Sequence, residues 1–248
     1  MANQEMFYLA LAGVTYRIVP LYGFVREYCR GYLTEPAKDA VSIEIVPEDI
    51  KYERERSESS AAYEGRPDHS YSDAYLETLA VYRQISETAP VHDTILFHGS
   101  AIEVDGRGYL FTAKSGTGKS THTALWRQFF GERAAMINDD KPLLQWTPEG
   151  VLVWGTPWNG KHRLGRPGSA PLKGICVLER DTYNHIERSD YAEVLPMLTQ
   201  QSYRPRQPEM LLRSMQLIDQ IGHSVNLYKL GCNMDIEAAR VSFEGMQP

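Results

Sequence analysis

The first fifty residues contain short runs in which apolar and polar positions alternate, a pattern typical of β-strands. The runs Phe7–Val19, broken by Gly13, and Val41–Val46 predict strands. Phe24–Leu33 fits either a short helix or a strand. Residues 51 to 70 are polar and charged, which predicts an exposed loop or flexible connector.

The spacing of apolar residues then becomes helical over Tyr71–Thr88, and Pro90 ends this predicted helix. Asp105-Gly106, between two apolar runs, predicts a hairpin turn. The remaining apolar patterns predict the strands Ile95–Phe97, Ala101–Val104, Gly108–Thr112, Ala134–Ile137, Leu143–Trp146, Val151–Trp154, Ile175–Leu178 and Val225–Leu230. Further helices are predicted before Gly131 and at Tyr191–Tyr203, Pro208–Gly222 and Ile236–Phe243.

This order of elements predicts an α/β fold with a mixed sheet over residues 91–248. Residues 1–90 are predicted to form a small N-terminal α+β appendage. We expect the appendage to pack, to contact a partner or to join copies of the chain, and the residues do not choose among these roles.

A glycine-rich segment separates the strand Gly108–Thr112 from the helical pattern that ends at Gly131. Strand, glycine-rich turn, Lys-Ser and helix is the order of a phosphate-binding loop. Gly116 and Gly118 let the backbone approach phosphate closely, and the helix adds its positive end. The predicted nucleotide-binding residues of this segment are Ser115, Gly116, Thr117, Gly118, Lys119, Ser120 and Thr121.

Lys119 is expected to reach the β- and γ-phosphates, and Ser120 to offer its hydroxyl to Mg²⁺. Ala113 stands where the usual pattern has glycine. An ordinary glycine-rich turn that caps a helix is the alternative interpretation. The strand and helix patterns on either side favour the phosphate-binding loop.

Asn138-Asp139-Asp140 follows the predicted strand Ala134–Ile137. An enzyme that transfers phosphoryl groups needs a carboxylate near Mg²⁺, and often a second one to accept the proton of the attacking hydroxyl. We expect Asp139 to be the base and Asp140 to bind the metal with Ser120, although the residues alone leave the order of these roles open. A surface turn or helix cap is the alternative.

The pair His98-Gly99, the segment Ser115–Thr121 and the segment Asn138–Asp140 occur in this order. Together they resemble the catalytic domain of HPr kinase/phosphorylase, which is itself similar to the phosphate-binding core of phosphoenolpyruvate carboxykinase. The resemblance covers residues 92–180. It implies a P-loop core of that type, ATP and Mg²⁺ as cofactors, His98 near the transferred phosphoryl group, and a homo-oligomer.

The chain departs from that family in two places. HPr kinases carry Gly-Ile-Gly-Lys-Ser-Glu in the loop, whereas this chain has Gly-Thr-Gly-Lys-Ser-Thr at 116–121. A counterpart of their downstream Arg-Gly-Leu-Gly segment is missing. The chain therefore resembles a divergent branch, some members of which are similar to kinases that act on a serine of a peptide precursor or on free serine.

A basic loop is predicted over Gly155–Pro171, with Lys161, His162, Arg163 and Arg166. Phosphoryl transfer needs cations around the equatorial oxygens, so we expect Lys161 and Arg163 to bind the nucleotide. A merely solvated basic loop is an equal alternative.

Charge and composition limit the partners. The net charge of −6, with no basic stripe, argues against a nucleic-acid partner. No apolar run approaches the roughly 20 residues that cross a bilayer, and the N-terminus lacks the basic start of a signal peptide. The three cysteines lack metal-ligand spacing and are expected to be reduced. These features predict a cytoplasmic protein with no nucleic-acid or membrane partner.

The sequence as a whole predicts an ATP- and Mg²⁺-dependent kinase that phosphorylates a hydroxyl, with serine as the expected acceptor in a peptide, protein or small molecule. Catalysis is assigned to Asp139, His98 and Lys119. Three other functions stay open: a nucleotide sensor without turnover, a phosphorylase or hydrolase with related chemistry, and a scaffold. The residues do not distinguish ATP from GTP or set the direction of transfer.

Overall fold

The structure, a computed structural model, describes residues 5–63, 71–160 and 162–247. Lys161, predicted to bind the nucleotide, lies outside these residues. The chain divides after Thr88 into two compact units. None of the helices formed by the described residues has both the length and the apolar character needed to cross a membrane.

In the N-terminal unit, the described residues form a three-stranded sheet and α-helices. In chain order the elements are β1 (Phe7–Leu11), β2 (Val14–Val19), α1 (Phe24–Tyr28), β3 (Val41–Glu44), α2 (Pro47–Tyr63) and α3 (Asp73–Thr88). β2 pairs antiparallel with β1 and parallel with β3. Ala12 and Gly13 connect β1 to β2 with φ of 48° and 77°, the positive values that a two-residue hairpin turn requires.

Two predictions for this unit are settled by its helices. The helix predicted over Tyr71–Thr88 is confirmed as α3. The ambiguous segment Phe24–Leu33 is helical, because α1 is followed by a short 3₁₀ turn at Arg30–Tyr32.

The exposed loop predicted over residues 51–70 is wrong where the structure describes it, because α2 continues to Tyr63. Its charged residues do not all face water. Arg83 of α3 contacts Asp49 and Glu53 of α2 at 2.6 and 2.5 Å, and all three side chains are largely buried. This ion pair joins residues that are distant along the chain. The local sequence shows only the charged residues and not their partner, and the segment therefore has the pattern of a loop.

The described residues of the C-terminal unit mix strands and helices along the chain. In order they form β4 (Thr94–Leu96), β5 (Ser100–Val104), β6 (Arg107–Thr112), α4 (Lys119–Phe130), β7 (Ala134–Asn138), β8 (Leu143–Thr147), β9 (Gly150–Trp154), β10 (Ser169–Arg180), β11 (His185–Arg188), α5 (Tyr191–Gln201), α6 (Pro208–Ser224), β12 (Asn226–Cys232) and α7 (Glu237–Gly245). In this unit each predicted strand is confirmed as a strand and each predicted helix as a helix. However, β10 begins inside the predicted loop Gly155–Pro171, and β11 was not predicted.

β10 joins two sets of strands. Its first residues, Ser169–Pro171, pair antiparallel with β9, and the sheet continues through β8 to β4. From Leu172 onward β10 runs parallel to β6 and, from Gly174, also parallel to β12. β5 lies antiparallel between β6 and β7. The sheet is therefore mixed, and the predicted mixed α/β fold is confirmed.

The two faces of this sheet carry separate apolar cores, because successive residues of a strand point to opposite faces. Ile175 and Val177 of β10 pack into one core with residues of α5 and α6. Cys176 and Leu178 pack into the other with residues of α4 and α7, including Trp126. Helices thus cover both faces and leave the strand ends for the site.

Several strands end at one edge of the sheet. β6, β10 and β12 are parallel, and β7 has the direction of β6 because both pair antiparallel with β5. The segments that follow β6, β7, β10 and β12 therefore lie along the same edge, where ligands bind in open α/β sheets. Across the edge the order is β12, β10, β6, β5, β7.

Candidate active site

The segment Ala113–Gly118, called the glycine loop below, leads from β6 directly into α4. Gly116 and Gly118 have φ of 77° and 127°, a region that residues with a side chain rarely adopt. The N–H and Oγ1 of Thr117 both donate to the Lys114 carbonyl, at 3.2 and 2.9 Å. Strand, turn and helix thus follow one another in the order that the sequence predicts.

The start of α4 is open to solvent. Ser115 and Gly116 of the loop and Ser120 and Thr121 of the first helical turn are exposed. The first N–H groups of a helix have no partner within the helix, and they attract anions together with the helix dipole. An anion at the glycine loop can therefore reach backbone N–H groups and also the hydroxyls of Ser120 and Thr121.

Arg180, at the end of β10, holds the glycine loop from the neighbouring strand. Its Nη2 donates to the Gly116 carbonyl at 2.5 Å and its Nε to the Thr117 carbonyl at 3.3 Å. These bonds engage the carbonyls of Gly116 and Thr117 and do not use the N–H groups of the loop, of which that of Thr117 donates to Lys114. Sequence reasoning missed Arg180, because only the pairing of β10 with β6 brings it to the loop.

Lys119 is partly buried at the base of the loop, and its Nζ lies 3.4 Å from the Ala113 carbonyl. Burial lowers the pKa of the Lys119 ammonium below its ordinary value, while the charges of Asp140 and Asp139 act in the opposite direction. The predicted phosphate-binding lysine and the predicted carboxylates are thus electrostatically coupled.

Asp139 is buried directly after β7, with 5% of its surface exposed. Its Oδ1 accepts a hydrogen bond from Ser100 Oγ at 2.8 Å, and the same hydroxyl lies 2.9 Å from Thr123 Oγ1 on α4. A Cβ on Gly160 would lie 2.8 Å from Oδ2, so only glycine lets the backbone approach this second oxygen so closely. The carboxylate is therefore held between β5, α4 and the loop after β9.

Asp140 is more exposed and lies beside two basic side chains. Its Oδ1 lies 3.3 Å from His98 Nε2 and 3.7 Å from Lys141 Nζ. Burial by itself raises the pKa of Asp140, but the hydrogen bond from His98 and the charges of Lys141 and Lys119 outweigh it, so the pKa lies below the ordinary value. Asp140 is consequently ionised at neutral pH, and the structure brings His98 to it.

Asn138 positions both aspartates. Its Oδ1 accepts from the N–H groups of Asp140 and Lys141 at 2.8 and 2.6 Å, which fixes the turn after β7. Its Nδ2 donates to Thr156 Oγ1 at 2.9 Å. The buried amide therefore connects the carboxylate turn to the loop that follows β9.

The predicted basic loop is anchored rather than simply solvated. The backbone N–H of Arg166 donates to the Ile137 carbonyl at 3.2 Å, and its guanidinium forms an ion pair with Glu103. Arg166 is thus engaged and not available to bind phosphate. His162 and Arg163 are exposed, and Arg163 has a left-handed backbone, with φ of 46°.

A cavity of about 500 Å³ adjoins the glycine loop and runs along the first two turns of α4 to the turn after β12. We call it the α4 cavity. A second cavity of about the same volume reaches from Lys114 and Ser115 to Met197 of α5. Thr117 and Arg180 line both cavities.

Sequence reasoning missed Ser100, Thr123 and Lys141 as members of the site. Ser100 directly follows the predicted pair His98-Gly99, and Lys141 directly follows Asp140. Both could therefore have been proposed from their position next to a motif. Thr123 lies one helical turn beyond Lys119, and its contact with Ser100 depends on the packing of α4 against β5. No local pattern indicates that contact.

Comparison with solved structures gives distant likenesses, of which one is described here. The HPr(Ser) kinase/phosphatase from Coxiella burnetii matches 60% of this chain and 88% of its own chain, with a TM-score of 0.35 and 11% identity. No family model matches the chain, and no curated protein matches it. The likeness is weak in both measures, and the proposals below therefore rest on the chain's own residues.

Proposed function

We propose that this protein is an ATP- and Mg²⁺-dependent phosphotransferase that moves the γ-phosphoryl group to a hydroxyl, with serine in a peptide, protein or small molecule as acceptor. The observation that carries this proposal is the connection from Asp139 through Ser100 to Thr123. It places a buried carboxylate beside the helix that starts at the glycine loop. A phosphate cradle next to a held carboxylate is what phosphoryl transfer requires.

The glycine loop binds the β- and γ-phosphates in this proposal. Backbone N–H groups of the loop and of the start of α4, apart from that of Thr117, donate to the anion, and Lys119 supplies a full charge. Thr121, on the first turn of α4, is exposed. Binding of this kind positions the nucleotide and neutralises charge that grows in the transition state.

Mg²⁺ fits the donor set at this edge. Among the described residues no group of three or more His, Cys, Asp or Glu side chains forms a metal cage. Mg²⁺ usually binds one or two protein groups together with substrate phosphates and water, so the Ser120 hydroxyl and the ionised Asp140 suffice to hold it. When bound, the ion neutralises charge on the phosphate oxygens.

Asp139 accepts the proton of the attacking hydroxyl. The acceptor oxygen forms a bond to the γ-phosphorus as the bond from that phosphorus to the bridging oxygen breaks, and ADP leaves. Because Ser100 holds Oδ1, the oxygen that faces Gly160 is the one assigned to the proton. His98 acts by orienting Asp140, and Lys161 and Arg163 are assigned to phosphate oxygens or to the acceptor.

The test is product analysis by mass spectrometry after incubation with ATP, Mg²⁺ and a panel of free serine, free threonine, HPr protein and peptides. We expect one added phosphate on an acceptor. Asp139→Asn should lower kcat by about 10²- to 10⁴-fold, the usual contribution of a general base, and should still bind ATP. Asp219→Asn, on the exposed face of α6, is the matched control and should leave kcat unchanged.

Three results would contradict the proposal. A fully active Asp139→Asn variant would remove the assigned base. Tight ATP binding without transfer or hydrolysis would indicate a nucleotide sensor. Release of phosphate from a phosphoprotein, with ATP left intact, would indicate a phosphorylase or hydrolase.

A further inference from the structure

The order of the strands at the edge of the sheet that carries the site determines how a bound nucleotide is oriented along that edge. The glycine loop follows β6, and the carboxylates follow β7 on the β5 side. β10 and β12 end on the opposite side of β6. The transferred phosphoryl group is the last of a nucleoside triphosphate, so it must face Asp139. The rest of the nucleotide must then extend along the loop toward β10 and β12.

The α4 cavity lies on that side. Its walls include Leu125 of α4, Leu178 of β10 and Met234 after β12, together with the loop residues themselves. Sites for small molecules are typically concave and mostly apolar, with a few polar groups. A volume of about 500 Å³ lies within the range of such sites.

A buried polar group on the same wall has no partner. His122 lines the α4 cavity and is 2% exposed. Its Nε2 lies 3.1 Å from Trp126 Nε1 and from Ser242 Oγ. Its Nδ1 has no hydrogen-bond partner among the described residues, whichever nitrogen carries the proton. Buried polar groups are normally paired, but this nitrogen is enclosed by protein, so the assignment of a ligand to the cavity rests on its apolar walls and on the order of the strands.

We propose that the α4 cavity binds the nucleoside part of the nucleotide whose phosphates occupy the glycine loop. The base packs against Leu125, Leu178 and Met234, while the phosphates run along the loop toward Asp139. This inference rests on the proposed function, and it assigns the nucleoside subsite and the direction of the bound molecule.

Cys232 provides a natural reporter. It lines the α4 cavity and is partly exposed, whereas Cys29 and Cys176 are buried. The alkylation rate of Cys232 by N-ethylmaleimide, followed by peptide mass spectrometry, should fall about tenfold or more with saturating ATP and Mg²⁺. Cys232→Ser confirms the labelled site.

Tripolyphosphate is the matched ligand, because it carries the phosphates without a nucleoside. We expect it to bind, as measured by calorimetry, and to leave the alkylation rate of Cys232 unchanged. The inference is overturned if ATP binds without protecting Cys232, or if tripolyphosphate protects as strongly as ATP. If neither ligand binds, the proposed function itself fails, and the inference fails with it.

A substitution tests the same wall. Leu125→Trp should fill the cavity and weaken ATP binding about tenfold, or about 1.4 kcal/mol, with tripolyphosphate binding unchanged. Phe129→Trp is the control, one turn farther along α4 at an exposed position, and should bind ATP normally. Normal ATP affinity in a folded Leu125→Trp variant contradicts the assignment. If that variant does not fold, the alkylation experiment decides.

Discussion

Ser100 Oγ donates a buried hydrogen bond to Asp139 Oδ1 at 2.8 Å, across 39 residues of sequence. Thr123 of α4 lies 2.9 Å from the same hydroxyl. The orientation of the proposed base is thus set by β5 and by α4, the helix that follows the glycine loop. Ser100 does not touch the reacting atoms in this account, and we regard it as a positioning residue.

Ser100→Ala removes the hydrogen bond that orients Asp139. We expect kcat to fall about 10- to 100-fold, because a small misplacement of a catalytic group is costly. The dissociation constant for ATP should stay within about twofold, since phosphate binding does not use this bond. Steady-state kinetics and calorimetry measure the two quantities.

The matched control for Ser100→Ala is Ser202→Ala. Ser202 is also buried, but its hydroxyl donates to the Leu198 carbonyl at 2.8 Å, on the polypeptide segment that ends α5. This control should keep its kcat. Unchanged kcat in Ser100→Ala would remove the positioning role.

Arg180→Lys keeps the charge but loses the forked donors that hold the carbonyls of Gly116 and Thr117. We expect weaker binding of ATP and tripolyphosphate by about threefold to tenfold, and faster hydrogen exchange of the loop N–H groups. Arg188→Lys, on β11, is the control. If exchange in the loop is unaffected, Arg180 does not order the loop.

Asn138→Ala removes the acceptor of the partly buried N–H groups of Asp140 and Lys141 and one hydrogen bond of Thr156 Oγ1, which still donates to the Lys141 carbonyl. We expect the free energy of unfolding to fall by about 2–4 kcal/mol, since each unsatisfied buried group costs about 1–3 kcal/mol. Urea denaturation measures it.

Asn226→Ala is the control for that substitution. Asn226 accepts a hydrogen bond from Arg188 at the surface, and loss of a surface contact should cost about 0.5 kcal/mol or less. An equal loss in the two variants would contradict the role of Asn138.

The pH dependence of nucleotide binding should follow Lys119. Burial lowers the pKa of its ammonium in the free protein, and a bound triphosphate raises it again, because an anion favours the charged form. The bound state therefore holds the proton to higher pH. ATP affinity should fall as the pH rises through the free-protein pKa of Lys119, and binding there should take up protons.

Calorimetry in alkaline buffers of different ionisation enthalpy measures this uptake. Lys119→Arg should flatten the pH profile, because a guanidinium stays charged. If ATP affinity falls with pH equally in Lys119→Arg and the wild-type protein, and the wild-type protein takes up no proton on binding, the pH dependence belongs to another group.

Most of the strands and helices, and the meeting of the glycine loop with Asp139 and Asp140 at one edge of the sheet, could be predicted because their signals are local. The glycine loop is recognised from Gly116, Gly118 and Lys119, and Asp139-Asp140 follows an apolar run. These patterns are contained in a few neighbouring residues.

The errors have a common cause, which is pairing between distant residues. The helix α2 was predicted as a loop because its sequence shows charged residues but does not show that two of them pair with Arg83. The pairing of Arg166, a member of the predicted basic loop, with Glu103 was likewise not indicated by the sequence. Arg180 reaches the glycine loop only through the register of β10 with β6. Periodicity and motif spacing carry no information about such pairs.

The most direct measurement is calorimetric titration of the wild-type protein and Lys119→Ala with ATP in the presence of Mg²⁺. The account predicts saturable binding at one site in the wild-type protein and a loss of at least about tenfold, or 1.4 kcal/mol, in the variant. The fold of Lys119→Ala is checked by circular dichroism. Equal affinity in the two proteins, or no binding by the wild-type protein, would contradict the claim that the glycine loop binds a nucleotide.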